Sequence, residues 1–574
     1  DYTNTSNHQT KELFRKTIED IKCAFKTELS KQFKERLAKL RGKVIMLEAP
    51  TLFGERTKAE KAELKKLKEK LNILEKEQED IQTNKLYVDA FEWRFEFPQL
   101  LDENGKFTGF DIIIGNPPYI KEATDKNAFN GLRNSAYYQG KMDLWYIFAC
   151  KGIDLLKSNA CLCYIATNNW VTNDGASILR NKIVSDARII QLIDFFDAMI
   201  FDSASIQTMI MLFQKDCITD NYSFDYRKVQ QKHANKQAAI NLLEKIHDDS
   251  NVFFMPLINR EYFSNQLLTF ASTENNQILQ LISNTKHILL NDQDGLKEIS
   301  SGIDVLQDYV NKKAQQLLNN KKQIGDGIFV LSQQEYDSLS FNENEKSLVK
   351  PYYTSKLINR YSVCKENSEW IIYTDSSAND SISLYPNIQK HLDQFSKVIT
   401  SVNKPYGLHR ARKKESFEGE KILALRKCVN RPAFSYVNFD SFVSRAYLII
   451  RTNRINQKYL TGLLNSTLIK YWLKYKGKMQ GANFQIDKEP LQQIPIAVPA
   501  INVQELIATI VDYVMMASST KENLSELVSN ETIALFFEKI IDGCVYELYF
   551  GEHMKEQEIN IIDSALELIK PITH

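Results

Sequence analysis

From residue 85 onward the chain alternates short apolar runs with stretches of helical spacing, and this alternation restricts the fold more than any other feature. LYVDAF, FDIIIGN, CLCYIAT, IIQLIDFF and TMIMLF are rich in β-branched and aromatic side chains, and residues 143–157 and 174–185 between them read as helices. Strands alternating with helices predict an α/β fold with a parallel, doubly wound sheet. Runs that stay apolar without alternation fit strands buried on both faces.

The flanking regions differ. Apolar residues recur at helical spacing over 8–48 (Leu13, Ile18, Ile21, Phe25, Leu29, Phe33, Leu37, Leu40) and over 56–82 (Leu64, Leu67, Leu71, Leu74), with charges of both signs between them. Pro50 and Gly54 suit a turn, so residues 1–85 are predicted to form an antiparallel helical arm. A solvated packing element is one reading of it, and contact of its lysines with DNA the other. Residues 86–220 hold the strand–helix alternation, 221–295 read as a mixed connector, and 296–500 as α+β, with GIFVL, EWIIYT and RAYLIIRT as strands and 456–475 as helix. Residues 501–574 read as helical.

At 574 residues several domains are expected. Lys+Arg total 73 against 72 Asp+Glu, so a nucleic-acid surface must be a local patch. No apolar run is long enough to span a membrane. The polar start DYTNTSNHQT lacks a signal peptide's apolar core, and the eight cysteines are scattered, which predicts a cytoplasmic protein with reduced thiols and no metal site.

FDIIIGNPPYI, Phe110 to Ile120, carries the chemistry. A strand ends at Gly115, and Asn116, Pro117, Pro118 and Tyr119 follow at its carboxyl end, where ligands bind in open α/β sheets. The prolines fix the backbone and remove two N–H donors, leaving carbonyl oxygens free to face a pocket. The exocyclic amine of adenine is a poor nucleophile because its lone pair is delocalised into the ring. Two acceptors, the Asn116 side chain and the Pro117 carbonyl, would localise that lone pair for attack on the methyl group of S-adenosylmethionine. Positioning and electrostatics suffice, without a strong base. The base must leave the duplex, and Tyr119 offers a face to stack on it.

The strand with NPPY resembles motif IV of class I DNA amino-methyltransferases, chiefly those acting on adenine N6. Asp143-Leu144-Trp145-Tyr146 resembles the family's fifth motif. CYIATNNW, Cys163 to Trp170, resembles the sixth, with Asn168 in place of its usual Pro, and Leu179-Arg180 matches the next helix. FDAMIFDSASIQTMIMLFQK resembles the eighth, and the resemblance implies that Phe201 packs on the flipped base; plain core packing is the other reading. Lys350-Pro351-Tyr352, EWIIYT, LHRARKKESFEGEKIL, LLNST and QQIPI resemble, in this order, the TaqI-like specificity domain of type IIG restriction–modification enzymes.

The family's Gly-rich loop for S-adenosylmethionine has no counterpart here, nor does its nuclease pattern. The chain thus reads as the C-terminal portion of a longer enzyme, with magnesium implied only if a nuclease lies upstream. The resemblance leaves Asp89 as the one candidate contact to the cofactor. Lys404 to Arg431 holds nine Lys/Arg and one His against three Glu, and His409, Arg410, Arg412, Lys413 and Lys414 are the candidates for double-stranded DNA. Lys470 to Lys478, with Tyr471, Trp472 and Tyr475, is a weaker candidate whose aromatic spacing suits a core.

The expected architecture is a partial Rossmann-like methyltransferase sheet. A helical arm precedes it, and an α+β target-recognition domain and a helical C-terminus follow. The expected function is adenine N6 methylation of DNA, with cytosine N4 open as the same chemistry. The rivals are a stand-alone methyltransferase of a phage-defence system and a non-catalytic DNA-recognition subunit or remnant.

Overall fold

The computed structural model describes residues 9, 12–13, 16–17, 20, 31–49, 58–82, 91, 93–196, 198–201, 206–216, 220–231, 234–258, 268, 270–291, 297–480, 483–520 and 522–571. The chain forms two compact units, residues 1–114 with 151–162, and residues 115–150 with 163–574.

In the first unit, α1 (Lys31–Glu48) and α2 (Lys58–Gln82) pair as the heptad-like spacing predicts. Leu37, Val44 and Leu74 are buried in their seam. Arg41 bonds Glu75 at 2.9 Å and Lys68 bonds Glu48 at 2.5 Å, and the two pairs together fix the register. Beyond the arm, Trp93, Phe97, Phe107 and Phe110 form an aromatic cluster against the start of β1 (Phe110–Gly115), with Phe110 edge-on to the other rings. Gly109 sits at φ +101°, and a Cβ there would lie 2.8 Å from the backbone of Leu156 and Lys157. β1 neighbours β2 (Leu156–Thr167), whose first half belongs to this unit. β1 departs from the expectation of burial on both faces, since Ile112 and Ile114 are 69% and 78% exposed.

In the second unit the sheet continues in the order β2-β4-β3-β5-β6, with β3 Ala187–Asp194, β4 Thr208–Lys215, β5 Asp225–Val229 and β6 Asn251–Phe254. The all-parallel expectation needs correction. β3 and β4 pair antiparallel, joined by residues 195–207. β5 is parallel to β3 and β6 antiparallel to β5, so residues assigned to a connector extend the sheet. The charges in DYRKV disguise β5, since Asp225 and Arg227 pair at 2.8 Å. Helices α3 (Leu144–Leu155) and α4 (Ser177–Asp186) fall where helical spacing places them.

Residues 299–450 form two four-stranded sheets. The strand Lys421–Leu425 pairs antiparallel with both Phe434–Val437 and Tyr447–Ile450. Its Ile422 and Ala424 face one core and Leu423 the other, the period of two that a doubly covered strand requires. LLNST has a structural explanation. Leu463 and Leu464 enter the core, the Asn465 amide exchanges two bonds with the Phe434 backbone, and Ser466 caps the helix Thr467–Lys476. Residues 501–568 are helical as expected, in Ile501–Ser519, Asn530–Glu556 and Ile561–Leu568. No described helix is long and apolar enough to cross a membrane.

Candidate active site

Asn116 to Tyr119 leave the end of β1 as exposed, buried, exposed and half-buried residues in turn. Tyr119 turns back over the end of β2. Its hydroxyl lies 2.7 Å from the Ile165 carbonyl and against Oδ1 of Asn116. One phenolic proton cannot serve two carbonyl oxygens at once. The proton therefore goes to one of two acceptors, the Ile165 carbonyl or Asn116 Oδ1. Burial raises the Tyr119 pKa, so the phenol keeps its proton through neutral pH. The Phe201 ring lies 6.5 Å from that of Tyr119, at 55°. The structure thus brings Asn116, Tyr119 and Phe201 together.

The segment after the motif is tied down along its length. Leu144 donates its N–H to Ile120 at 2.8 Å and Glu122 to Met142 at 3.0 Å. The Glu122 carboxylate accepts from Arg133 at 2.6 Å, Tyr138 at 2.5 Å and the Lys141 N–H at 2.7 Å, and these bonds lower its pKa. Gly175 closes against the same stretch, where a Cβ would stand 2.1 Å from the Lys141 carbonyl.

At the end of β2, the residues that resemble the fifth and sixth motifs form one network. Trp145 Nε1 donates to Thr167 Oγ1 at 2.9 Å, Thr167 reaches Asp143 at 3.3 Å and Asn169 at 2.9 Å, and Asn173 donates to the Tyr146 hydroxyl at 3.0 Å. Arg180 donates to the Trp170 and Asn173 carbonyls. Desolvation raises the Asp143 pKa against the pull of Lys121 and its hydrogen bonds. Sequence reading missed Asp194. It is buried and accepts from Asn168 Nδ2 at 3.0 Å, the Phe196 N–H at 2.9 Å and the Tyr226 hydroxyl at 3.1 Å. Its signal was an acid set inside the apolar run LIDFF, where an unpartnered carboxylate would be costly.

Asp89 lies outside the described residues. Of the glycines near the motif, Gly115 abuts the Tyr164 ring and Gly175 the Lys141 backbone, so neither opens a cradle for S-adenosylmethionine.

Far along the chain, Arg410, Arg412, Lys413 and Lys414 are exposed and His409 is half-buried, with a buried Nδ1 that has no hydrogen-bond partner among the described residues. Arg410 exchanges backbone bonds with Asp304, and Tyr373 donates to the Arg412 carbonyl at 2.7 Å, which pins the loop. Desolvation and then the neighbouring Arg410 lower the Arg412 pKa, and desolvation and then Lys414 lower that of Lys350. Lys414 differs from the arginines in having an ion-pair partner, Glu418 at 3.0 Å. In the second basic stretch Trp472 is buried core and Tyr471 and Tyr475 pack against it.

Residues 13–201 match the family model of the Eco57I restriction–modification methylase, and residues 350–496 that of the TaqI-like C-terminal specificity domain. The chain therefore carries an Eco57I-like methylase region and a TaqI-like specificity domain. It is similar to a putative type II restriction enzyme and methyltransferase, RM.MjaORFECS2P, of Methanocaldococcus jannaschii, with 21% identity over 83% of this chain and 34% of that protein. It is also similar to the type II methyltransferase M.HincII of Haemophilus influenzae, with 22% identity over 67% of this chain and 73% of that protein. The chain thus spans about a third of the length of the first relative and about three quarters of the second. Among solved structures, the type IIL restriction–modification enzyme MmeI in complex with DNA shares the fold, with a TM-score of 0.52 and 14% identity over 85% of this chain and 63% of that one.

Proposed function

We propose that this chain is the acceptor-binding and target-recognition portion of a site-specific DNA methyltransferase of a restriction–modification system, acting on the N6 amine of a flipped adenine. The observation that carries the reading is the Asn116–Tyr119 segment at the end of β1 with Phe201 beside it. Asn116 Oδ1 and the Pro117 carbonyl accept from the two amine N–H bonds. The amine lone pair then leaves conjugation with the ring and becomes nucleophilic. Tyr119 stacks on the base, with Phe201 as the second aromatic surface. The basic loop at 409–414 holds the duplex by its phosphates.

S-adenosylmethionine is the methyl donor that the methylase family implies, and it supplies the electrophilic methyl group. The described residues furnish the acceptor side of the reaction and no glycine-rich cradle for the donor. Residues 1–574 alone are accordingly expected to bind S-adenosylmethionine weakly in isothermal titration, and micromolar binding would show that the donor site lies in this chain.

The deciding experiment is transfer of labelled methyl groups to unmodified DNA by the intact enzyme, followed by nucleoside analysis. N6-methyladenine is the expected product. Asn116→Ala is expected to reduce transfer by roughly 10²–10³-fold, the loss seen when a preorganised polar partner of a transition state is removed. Transfer at the wild-type rate by that variant would sink the proposal.

A further inference from the structure

We infer that Asn168 is a positioning residue that clamps both ends of the segment carrying Phe201; the inference rests on the reading proposed above. Residues 195–207 join β3 to β4, and Phe201 lies within them. At the start of the segment, Asp194 accepts the Phe196 N–H at 2.9 Å. Phe196 adopts φ +52°, a left-handed conformation costly for an aromatic residue, and is buried under Lys228 at 4.9 Å from its ring. At the other end, Gln207 offers its carbonyl.

Asn168 reaches both ends. Its side-chain Nδ2 donates to Asp194 Oδ1 at 3.0 Å, and its backbone N–H donates to the Gln207 carbonyl at 3.3 Å. It lies three residues beyond Ile165, whose carbonyl receives the Tyr119 hydroxyl. One residue at the end of β2 therefore ties the support of the Tyr119 ring to the support of the Phe201 ring. Proline at this position would have no N–H and no amide side chain and could make neither bond, whereas Asn168 supplies both donors, one to Asp194 and one to Gln207. Asp194 is held ready by the Tyr226 hydroxyl at 3.1 Å and by Lys228 at 3.8 Å.

Two measurements test this on the intact enzyme. Hydrogen exchange reads the clamp itself. Asn168→Ala keeps the backbone N–H and loses the side-chain bond, and is expected to speed exchange of the Phe196 amide by roughly 3- to 10-fold, with exchange in the helix 457–465 unchanged. Unchanged exchange at Phe196 would overturn the clamp, whatever the protein's function. Single-turnover methyl transfer to unmodified DNA reads its consequence. Asn168→Ala is expected to slow transfer by roughly 3- to 10-fold and Asn168→Pro by roughly 10- to 100-fold, with DNA affinity unchanged. In a Phe201→Ala background, Asn168→Ala is expected to add nothing, because it acts through that ring. Additive losses would show a merely structural role. If Asn168→Pro does not fold, the alanine series decides alone. Faster exchange together with wild-type transfer by Phe201→Ala would leave the clamp standing and overturn the stacking role on which its purpose depends.

Discussion

Around Thr167 and Asp194 each acid faces donors of its own, whereas around Arg410 and Arg412 the cations face one another. Both regions hold polar groups in fixed places, by different means. In the methylase region Asp143 accepts from Thr167, and Asp194 from Asn168 and Tyr226, so these side chains hold one another in place. In the specificity region backbone bonds to Asp304 and a bond from Tyr373 to the Arg412 carbonyl fix the loop, whose Arg410, Arg412, Lys413 and Lys414 are exposed. The first arrangement suits recognition by shape and hydrogen bonding, and the second suits a polyanion whose counterions are released on binding.

The contrast predicts different failures. The largest is at Tyr119. Tyr119→Ala removes the stacking face and is expected to lower methyl transfer by roughly 10- to 100-fold, given about 1–3 kcal/mol per stacked base. Tyr119→Phe keeps the ring, and transfer within about threefold of wild type is expected. Equal losses for the two variants would place the importance in the hydroxyl instead.

Next comes charge. Neutralising Arg410, Arg412 and Lys413 together is expected to weaken DNA binding and flatten the log-affinity against log-salt slope by up to about 3, since each neutralised phosphate contributes about 0.9. Lys414→Ala alone should change the slope least, because Glu418 already pairs with that ammonium. A slope unmoved by the triple variant would take this loop off the DNA.

The smallest effect concerns Lys421, fully buried in the specificity sheet, where its ammonium donates to the Gly419 and Phe439 carbonyls at 2.7 Å. Desolvation is the main cause that lowers its pKa from 10.5 to about 7. The unfolded chain therefore binds this proton more tightly than the folded one, and stability should rise as pH climbs from about 7 towards 10.5. Urea midpoints at pH 7 and pH 9 for wild type and Lys421→Met check it. The variant should lose part of that rise, and parallel profiles would mean that the ammonium is not desolvated.

Much of this was legible because it is local. NPPY announces its turn through two prolines, and the arm announces its pairing through leucine spacing. Trp472 reads as core from its place in a helical run, as the structure has it. What escaped depends on partners distant in sequence. The antiparallel pairing of β3 and β4 is set by their partners across the sheet and cannot be read from either strand's composition. β5 hides behind charges that neutralise one another. The roles of Asn168 and Asp194, 26 residues apart in the chain, emerge only when the ends of β2 and β3, with β4 between them in the sheet, come within hydrogen-bond reach. The pairing of Lys414 with Glu418 is a matter of rotamers, which a local charge count cannot see.

The contact between the Tyr119 phenol and Asn116 has a consequence for selectivity. With no base present, the amide is already engaged by an internal partner. On the proposed reading, an incoming base performs an exchange: it displaces the phenol from Asn116 and must return at least as good a hydrogen bond. A base with an exocyclic amine can do so. Thymine, with a carbonyl in that place, would leave the amide oxygen unmatched, and the phenol would hold its position. On that reading the placeholder makes occupancy a competition decided by the amine.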